Sequence, residues 1–107
     1  FGGITRLDKF IAYQKKYPNG TGTIEIVKGD LNSLDSVKSA CLEVKKNHPT
    51  LDFIINNAGI MNFEFAESQN HIEQTFQVNL LSPLLICHLL VDCLKTSNDF
   101  NALKWFK

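Results

Sequence analysis

The nine residues Leu51-Asp52-Phe53-Ile54-Ile55-Asn56-Asn57-Ala58-Gly59 constrain this chain more than any other stretch. Their apolar centre is too short for a helix, is rich in β-branched residues, and stops at two amides, an alanine and a glycine. Such a run is expected to form a buried parallel strand. Ligands of open α/β sheets bind beyond the carboxyl ends of strands, where small residues let a backbone come close. A candidate site therefore lies at Asn56 to Gly59.

The flanking segments supply the other elements of such a sheet. Thr23 to Lys28 alternates weakly and is β-branched at its centre, which predicts a short strand with Gly29 and Asp30 at its carboxyl end. Before it, Thr5-Arg6-Leu7-Asp8 has capping-box spacing, and Leu7, Phe10 and Ile11 give one apolar face. A first helix is expected from Thr5 to about Tyr17, ended by Pro18-Asn19-Gly20. Asn32 and Asp35 offer a cap for a second helix, in which Leu34, Val37, Cys41 and Val44 recur at steps of three and four. His48-Pro49 closes it, because a residue before proline is pushed out of the helical region. Ile60 to Asn70 reads as a loop lined by Met61, Phe63 and Phe65. A long helix comes next, from about His71 to Lys95, with Ile72, Phe76, Leu80, Leu84, Cys87, Val91 and Leu94 along one face. Thr96 to Lys107 carries no pattern. The order α-β-α-β-α is that of a doubly wound α/β sheet.

Bulk properties narrow the function classes. At 107 residues there is room for one small domain. Eleven basic residues balance eleven acidic ones, so nothing draws the chain to nucleic acid or an anionic membrane surface. The three cysteines lie in apolar helical stretches and lack metal-site spacing, which argues against disulfides and for the cytoplasm or another reducing compartment. No metal site is expected. Ser82, Pro83, His88 and Asp92 interrupt the apolar run before the roughly 18 to 20 residues a membrane span needs, so a buried helix is expected there. Phe1-Gly2-Gly3 offers neither an initiator methionine nor a leader, so the chain is expected to be an excerpt of something longer.

Three segments together resemble one family. Phe53-Ile-Ile-Asn-Asn-Ala-Gly-Ile60 resembles the Asn-Asn-Ala-Gly segment of the short-chain dehydrogenase/reductases. Ile24-Glu-Ile-Val-Lys-Gly-Asp30-Leu31 is similar to that family's third strand with its Asp-Leu pair, and Phe76-Gln-Val-Asn79-Leu-Leu-Ser-Pro83 to its Val-Asn helix. The likeness runs from about Arg6 to Leu94, nearest to members acting on retinoids, steroids and other lipophilic carbonyls. It implies that residues 1–107 are the central part of one Rossmann-like, NAD(P)-binding domain. The first two strands and the C-terminal strands of a partial doubly wound parallel sheet are lacking. In the family those first two strands lie between the strand at Ile24 and the strand at Leu51. The pair present here should therefore be unstable, repack directly, or need a partner.

The resemblance assigns roles residue by residue. It implies that Asp30 contacts the adenine of the cofactor with the Leu31 backbone beside it; an aspartate in the turn before a capped helix is the alternative. It places Asn57, Ala58 and Gly59 against the cofactor ribose, with Asn56 more structural, although an Asn pair can also satisfy neighbouring backbone groups without a ligand. Asn79 also has a case of its own. Pro83, four residues later, has no N–H, so the Asn79 carbonyl loses its helical donor. In the family the main-chain carbonyl at this position holds a water that links the catalytic lysine to solvent, which makes Asn79 the catalytic candidate. A kink that merely suits packing is the other explanation. Arg6 would match a basic residue favouring the 2′-phosphate, so NADP is slightly favoured over NAD.

Two family features are missing from the chain. The glycine-rich turn Thr-Gly-x-x-x-Gly-x-Gly, which holds pyrophosphate, is replaced by Phe1-Gly2-Gly3-Ile4, and no Tyr-x-x-x-Lys pair occurs. The expected function is part of an oxidoreductase moving hydride between nicotinamide and a small, lipophilic alcohol or carbonyl, inactive as the isolated chain. The alternative is a truncated, non-catalytic relative that binds a partner or has no function of its own.

Overall fold

A computed structural model describes residues 11–12, 15–16 and 24–95. Residues 11–12 and 15–16 are helical and exposed; the remainder of the expected first helix, Arg6 included, lies outside the described residues. So does the segment from Thr96 onward.

The first complete element is helix α1, Leu34–Asn47. It starts where Ser33, in extended conformation, accepts the Ser36 N–H at 3.3 Å through its hydroxyl. Ser33 is thus the cap, in place of Asn32 and Asp35; Asp35 sits in the first turn and Lys45 and Lys46 in the last, as the helix dipole favours. The His48 N–H closes the helix on the Val44 carbonyl at 2.7 Å. Val37 and Cys41 are buried, in agreement with the spacing of the apolar residues.

The second helical stretch begins later than periodicity predicts. His71 has φ 57°, a left-handed conformation that no helix continues through. Ser68 and Ile72, and Ala66 and Gln74, then pair through their backbones across this reversal, and Glu73 caps the helix by accepting the Thr75 and Phe76 N–H groups at 2.9 and 2.7 Å. Helix α2, Gln74–Phe76, passes into a π-helical turn, Gln77–Leu81, and then into α3, Ser82–Lys95. The π turn ends two residues before Pro83, whose ring and missing N–H disrupt the regular ladder.

That turn changes which face is buried. Phe76, Leu80 and Leu84 are 49, 45 and 56% exposed, and Cys87 is exposed, although they were expected to face inward. Val78, Leu90 and Cys93 are buried instead. One extra residue in the turn displaces the count of three and four, and the helix is apolar on several sides, so composition does not choose between them. The 21-residue stretch Gln74–Leu94 includes an 18-residue window of mean hydropathy 1.6, so by length and composition alone it passes as a membrane span, as the apolar core helix of a folded protein also does. Its inner face packs on α1: Val37 and Cys41 meet Leu90 and Cys93, surrounded by Leu31, Val44, Leu51, Ile54, Leu85 and Leu89.

No strand forms among the described residues; Glu67 and Glu73 make one isolated antiparallel bridge. The expected partial parallel sheet is therefore absent from them. Residues 24–30 and 51–60 run without helix or ladder, and Ile24, Ile26, Phe53 and Ile55 are largely exposed. The direct repacking of the two segments does not occur. A parallel ladder needs a neighbour at hydrogen-bonding distance, and among the described residues neither segment has one. Other contacts hold the segments. Glu25 accepts from Asn47 at 2.9 Å and pairs with the His48 imidazole at 2.7 Å, while the Leu51 N–H donates to the Cys93 carbonyl at 3.2 Å.

Candidate cofactor site

Asp30 and Leu31 lie in the turn that leads into α1. The exposed Asp30 carboxylate accepts the Asn32 N–H at 2.9 Å on one oxygen and the Gln69 side-chain amide at 3.2 Å on the other. Its own N–H donates to the Ser36 hydroxyl at 2.9 Å. This is an aspartate-stabilised turn before a capped helix. Each oxygen keeps acceptor capacity toward solvent.

Behind this turn lies a polar cluster that sequence reasoning missed. Gln77 and Ser82 have no exposed surface, and Ser68 is 6% exposed. The Ser68 hydroxyl donates to Gln77 Oε1 at 2.5 Å; Gln77 Nε2 donates to the Leu31 carbonyl at 3.2 Å and to Asn70 Oδ1 at 3.3 Å. The Ser82 hydroxyl donates to the same Leu31 carbonyl at 2.6 Å, and Asn70 Oδ1 accepts the Leu34 N–H at 2.9 Å. Among the described residues no buried side-chain polar atom lacks a partner. The polar residues Gln77 and Ser82 within a largely apolar helical stretch were the available signal, since buried polar groups are found with partners.

The second candidate segment, Asn57, Ala58 and Gly59, is exposed. Asn56 donates to the Cys87 sulfur at 3.2 Å, a protein-facing contact. A Cβ on Gly59 would lie 3.4 Å from Asn79 Oδ1, an ordinary contact, so this neighbour does not require a glycine. Immediately afterward, Asn79 holds Ile60 by both backbone groups. Its Oδ1 accepts the Ile60 N–H at 2.8 Å and its Nδ2 donates to the Ile60 carbonyl at 2.7 Å. An amide side chain thus occupies the place of a strand neighbour. The role argued for the Asn79 main-chain carbonyl is separate from this side-chain grip.

The residues present are of the kind that the adenosine half of a nicotinamide dinucleotide would need. An exposed carboxylate with spare acceptor capacity lies on one turn, small exposed residues on the other, and both turns are fastened to residues 77–82. An apolar cleft of about 230 Å³ under the first turn, lined by Val27, Gly29, Leu31, Val37, Ile86 and Leu90, has no convergent polar side chains to orient a ligand. Burial pushes the Cys41 thiol above its usual range, in keeping with an inert core position. Among the described residues no three His, Cys, Asp or Glu side chains are grouped to hold a metal.

The short chain dehydrogenase family matches residues 5–100, and this chain belongs to that family. The family's fold is Rossmann-like α/β, and its members use NAD(P). Retinol dehydrogenase 14 of Mus musculus is 38% identical over 81 residues, which cover 75% of this chain and 24% of that protein. The short chain dehydrogenase/reductase mfmJ of Annulohypoxylon moriforme is 38% identical over 85 residues, 78% of this chain and 24% of its own. The chloroplastic short-chain dehydrogenase TIC 32 A of Brassica napus is 36% identical over 81 residues, 76% and 25% respectively. The chain thus spans about a quarter of the length of the curated relatives it matches. No solved structure matches it.

Proposed function

We propose that the natural-length protein carrying this chain transfers hydride between NADP or NAD and an alcohol or carbonyl. Asp30 and the Leu31 backbone would receive the adenine, and Asn57, Ala58 and Gly59 the ribose. The main-chain carbonyl of Asn79, left without its helical donor by Pro83, would hold a proton-relay water. The bound nicotinamide supplies hydride chemistry; the chain's residues bind and orient it and support proton movement. The observation that carries this reading is structural: the two turns assigned to the cofactor are gripped by one helical stretch through Asn79, Gln77 and Ser82.

The substrate proposed is lipophilic. Met61, Phe63 and Phe65 are 74, 93 and 75% exposed on the loop that leaves the Asn79 grip, and four of the relatives are retinol dehydrogenases by name. NADP is slightly favoured, through Arg6. A reducing compartment suits the three cysteines, of which none is disulfide-bonded.

The 107-residue chain by itself should not turn over nicotinamide, because the groups for pyrophosphate and proton transfer are absent from its sequence. A second reading, a non-catalytic relative that binds a partner, is favoured by one observation, the exposure of Ile24, Ile26, Phe53 and Ile55 on segments without a ladder. One assay separates the two. The natural-length protein is purified and given NADPH or NADH with a panel of lipophilic aldehydes and ketones. Cofactor-dependent reduction supports the first reading; no turnover and no cofactor affinity supports the second.

A further inference from the structure

Gln77 and Ser82, both without exposed surface, donate to a single acceptor, the Leu31 carbonyl, at 3.2 and 2.6 Å. On an α-helix, residues five apart point about 140° away from each other and do not converge on one atom. Here the Ser82 N–H bonds the Gln77 carbonyl, closing a five-residue π turn that brings residue 82 back over residue 77. The irregular turn is what makes the convergence geometrically available.

The carbonyl they meet belongs to the residue directly after Asp30. With two buried donors on it, the backbone of Leu31 is fixed just behind the Asp30 carboxylate. Gln69 and Asn32 hold that carboxylate from the sides. The same π turn carries Asn79, whose amide holds both backbone groups of Ile60, next to Gly59. Residues 77–82 therefore connect the two candidate cofactor turns, which lie far apart in sequence.

We infer that Gln77 and Ser82 are positioning residues for the adenine end of the cofactor, set on the Leu31 carbonyl by the π turn. This rests on the oxidoreductase reading above. Neither residue touches the cofactor; each acts through the Leu31 backbone and so on the direction of the Asp30 carboxylate. Removing one donor leaves the Leu31 carbonyl held by the other alone, and loss of the Gln77 amide also takes the acceptor from the buried Ser68 hydroxyl.

Half-cofactor probes test this on the natural-length protein. Affinities for AMP, for nicotinamide mononucleotide and for whole NADP or NAD are measured calorimetrically in the wild type, Ser82→Ala, Ser82→Thr and Gln77→Met. Ser82→Ala and Gln77→Met are expected to weaken AMP about 5- to 30-fold, with nicotinamide mononucleotide changed less than twofold. Ser82→Thr, which keeps the hydroxyl, should restore most of the AMP affinity. Should Ser82→Ala fail to fold, Gln77→Met carries the same expectation. Equal losses for both probes, or AMP binding untouched in a folded variant, would overturn the positioning role while leaving the oxidoreductase reading intact. A wild type that binds no dinucleotide would remove that reading and the inference with it.

Discussion

The side-chain amide of Asn79 faces the peptide backbone of Ile60 and satisfies both its groups, the N–H at 2.8 Å and the carbonyl at 2.7 Å. Replacement by alanine removes both bonds. Replacement by aspartate keeps the acceptor and loses the donor. Each bond contributes on the order of 0.5–1.5 kcal/mol. Asn79→Ala is therefore expected to speed amide exchange at Ile60, and Asn79→Asp to do so less. Hydrogen exchange resolved to single amides reads this directly; equal protection in wild type and Asn79→Ala would count against the grip.

Pro83→Ala separates the backbone role of Asn79 from its side-chain role. An alanine returns an N–H four residues after Asn79 and lets the π turn relax toward an α-helix. In the natural-length protein, turnover is expected to fall at least tenfold, because the carbonyl proposed to hold the relay water is then bonded. Unchanged turnover would sink that use of the carbonyl.

Acid should loosen the start of the second helical stretch. The Thr75 and Phe76 N–H groups hold the Glu73 carboxyl below its ordinary value of 4.5. A depressed folded-state pKa contributes stability that is present above the unfolded value and is lost as pH falls through the folded one. Glu25, lowered chiefly by its bonds from His48 and Asn47, acts in the same direction. Protection of the Thr75 and Phe76 amides should therefore drop below about pH 4.5, the ordinary value, and Glu73→Gln should flatten that drop. An unaltered acid limb in Glu73→Gln would show that the cap contributes nothing.

The packing of α1 on α3 rests on few side chains. Leu90 is 5% exposed and sits with Val37, Cys41 and Cys93. Leu90→Ala is expected to cost roughly 2–5 kcal/mol, which is comparable to the whole stability of a small core. Loss of most far-ultraviolet helical signal at 25 °C is the expected result, whereas a change of a few degrees in melting temperature would show that the core has support elsewhere.

What the sequence disclosed depends on the range of the interactions involved. Helix α1 was legible because Leu34, Val37, Cys41 and Val44 repeat at helical steps and His48-Pro49 is a local stop; only its cap was misassigned, to Asn32 and Asp35 where Ser33 serves. The runs at Ile24 and Leu51 were legible as extended, apolar segments, yet a strand is made by its neighbour, and neither has one among the described residues. The start at His71 failed because a left-handed residue leaves no mark in hydrophobic spacing. The inward face of the last helix failed at the π turn, where spacing stops counting faithfully. The candidate residues Asp30, Leu31, Asn57, Ala58, Gly59 and Asn79 come from motif resemblance, Asn79 also from Pro83 four residues later. The bond of Asn79 to Ile60 and the donors on Leu31 join residues 19 to 51 positions apart, beyond any local pattern.

The π turn between Gln77 and Leu81 is equivalent to one extra codon accommodated without displacing the helix beyond it. An ordinary insertion in a helix rotates every later side chain by about 100°. Here the surplus is absorbed within a single turn, so α3 keeps its seat on α1. Removing the codon for Leu80, whose side chain is 45% exposed, would leave Gln77 and Ser82 four positions apart on a regular helix, still sharing one face. A loss of length here should be better tolerated than a change of identity at either neighbour, which is the reverse of what a helix interior ordinarily allows.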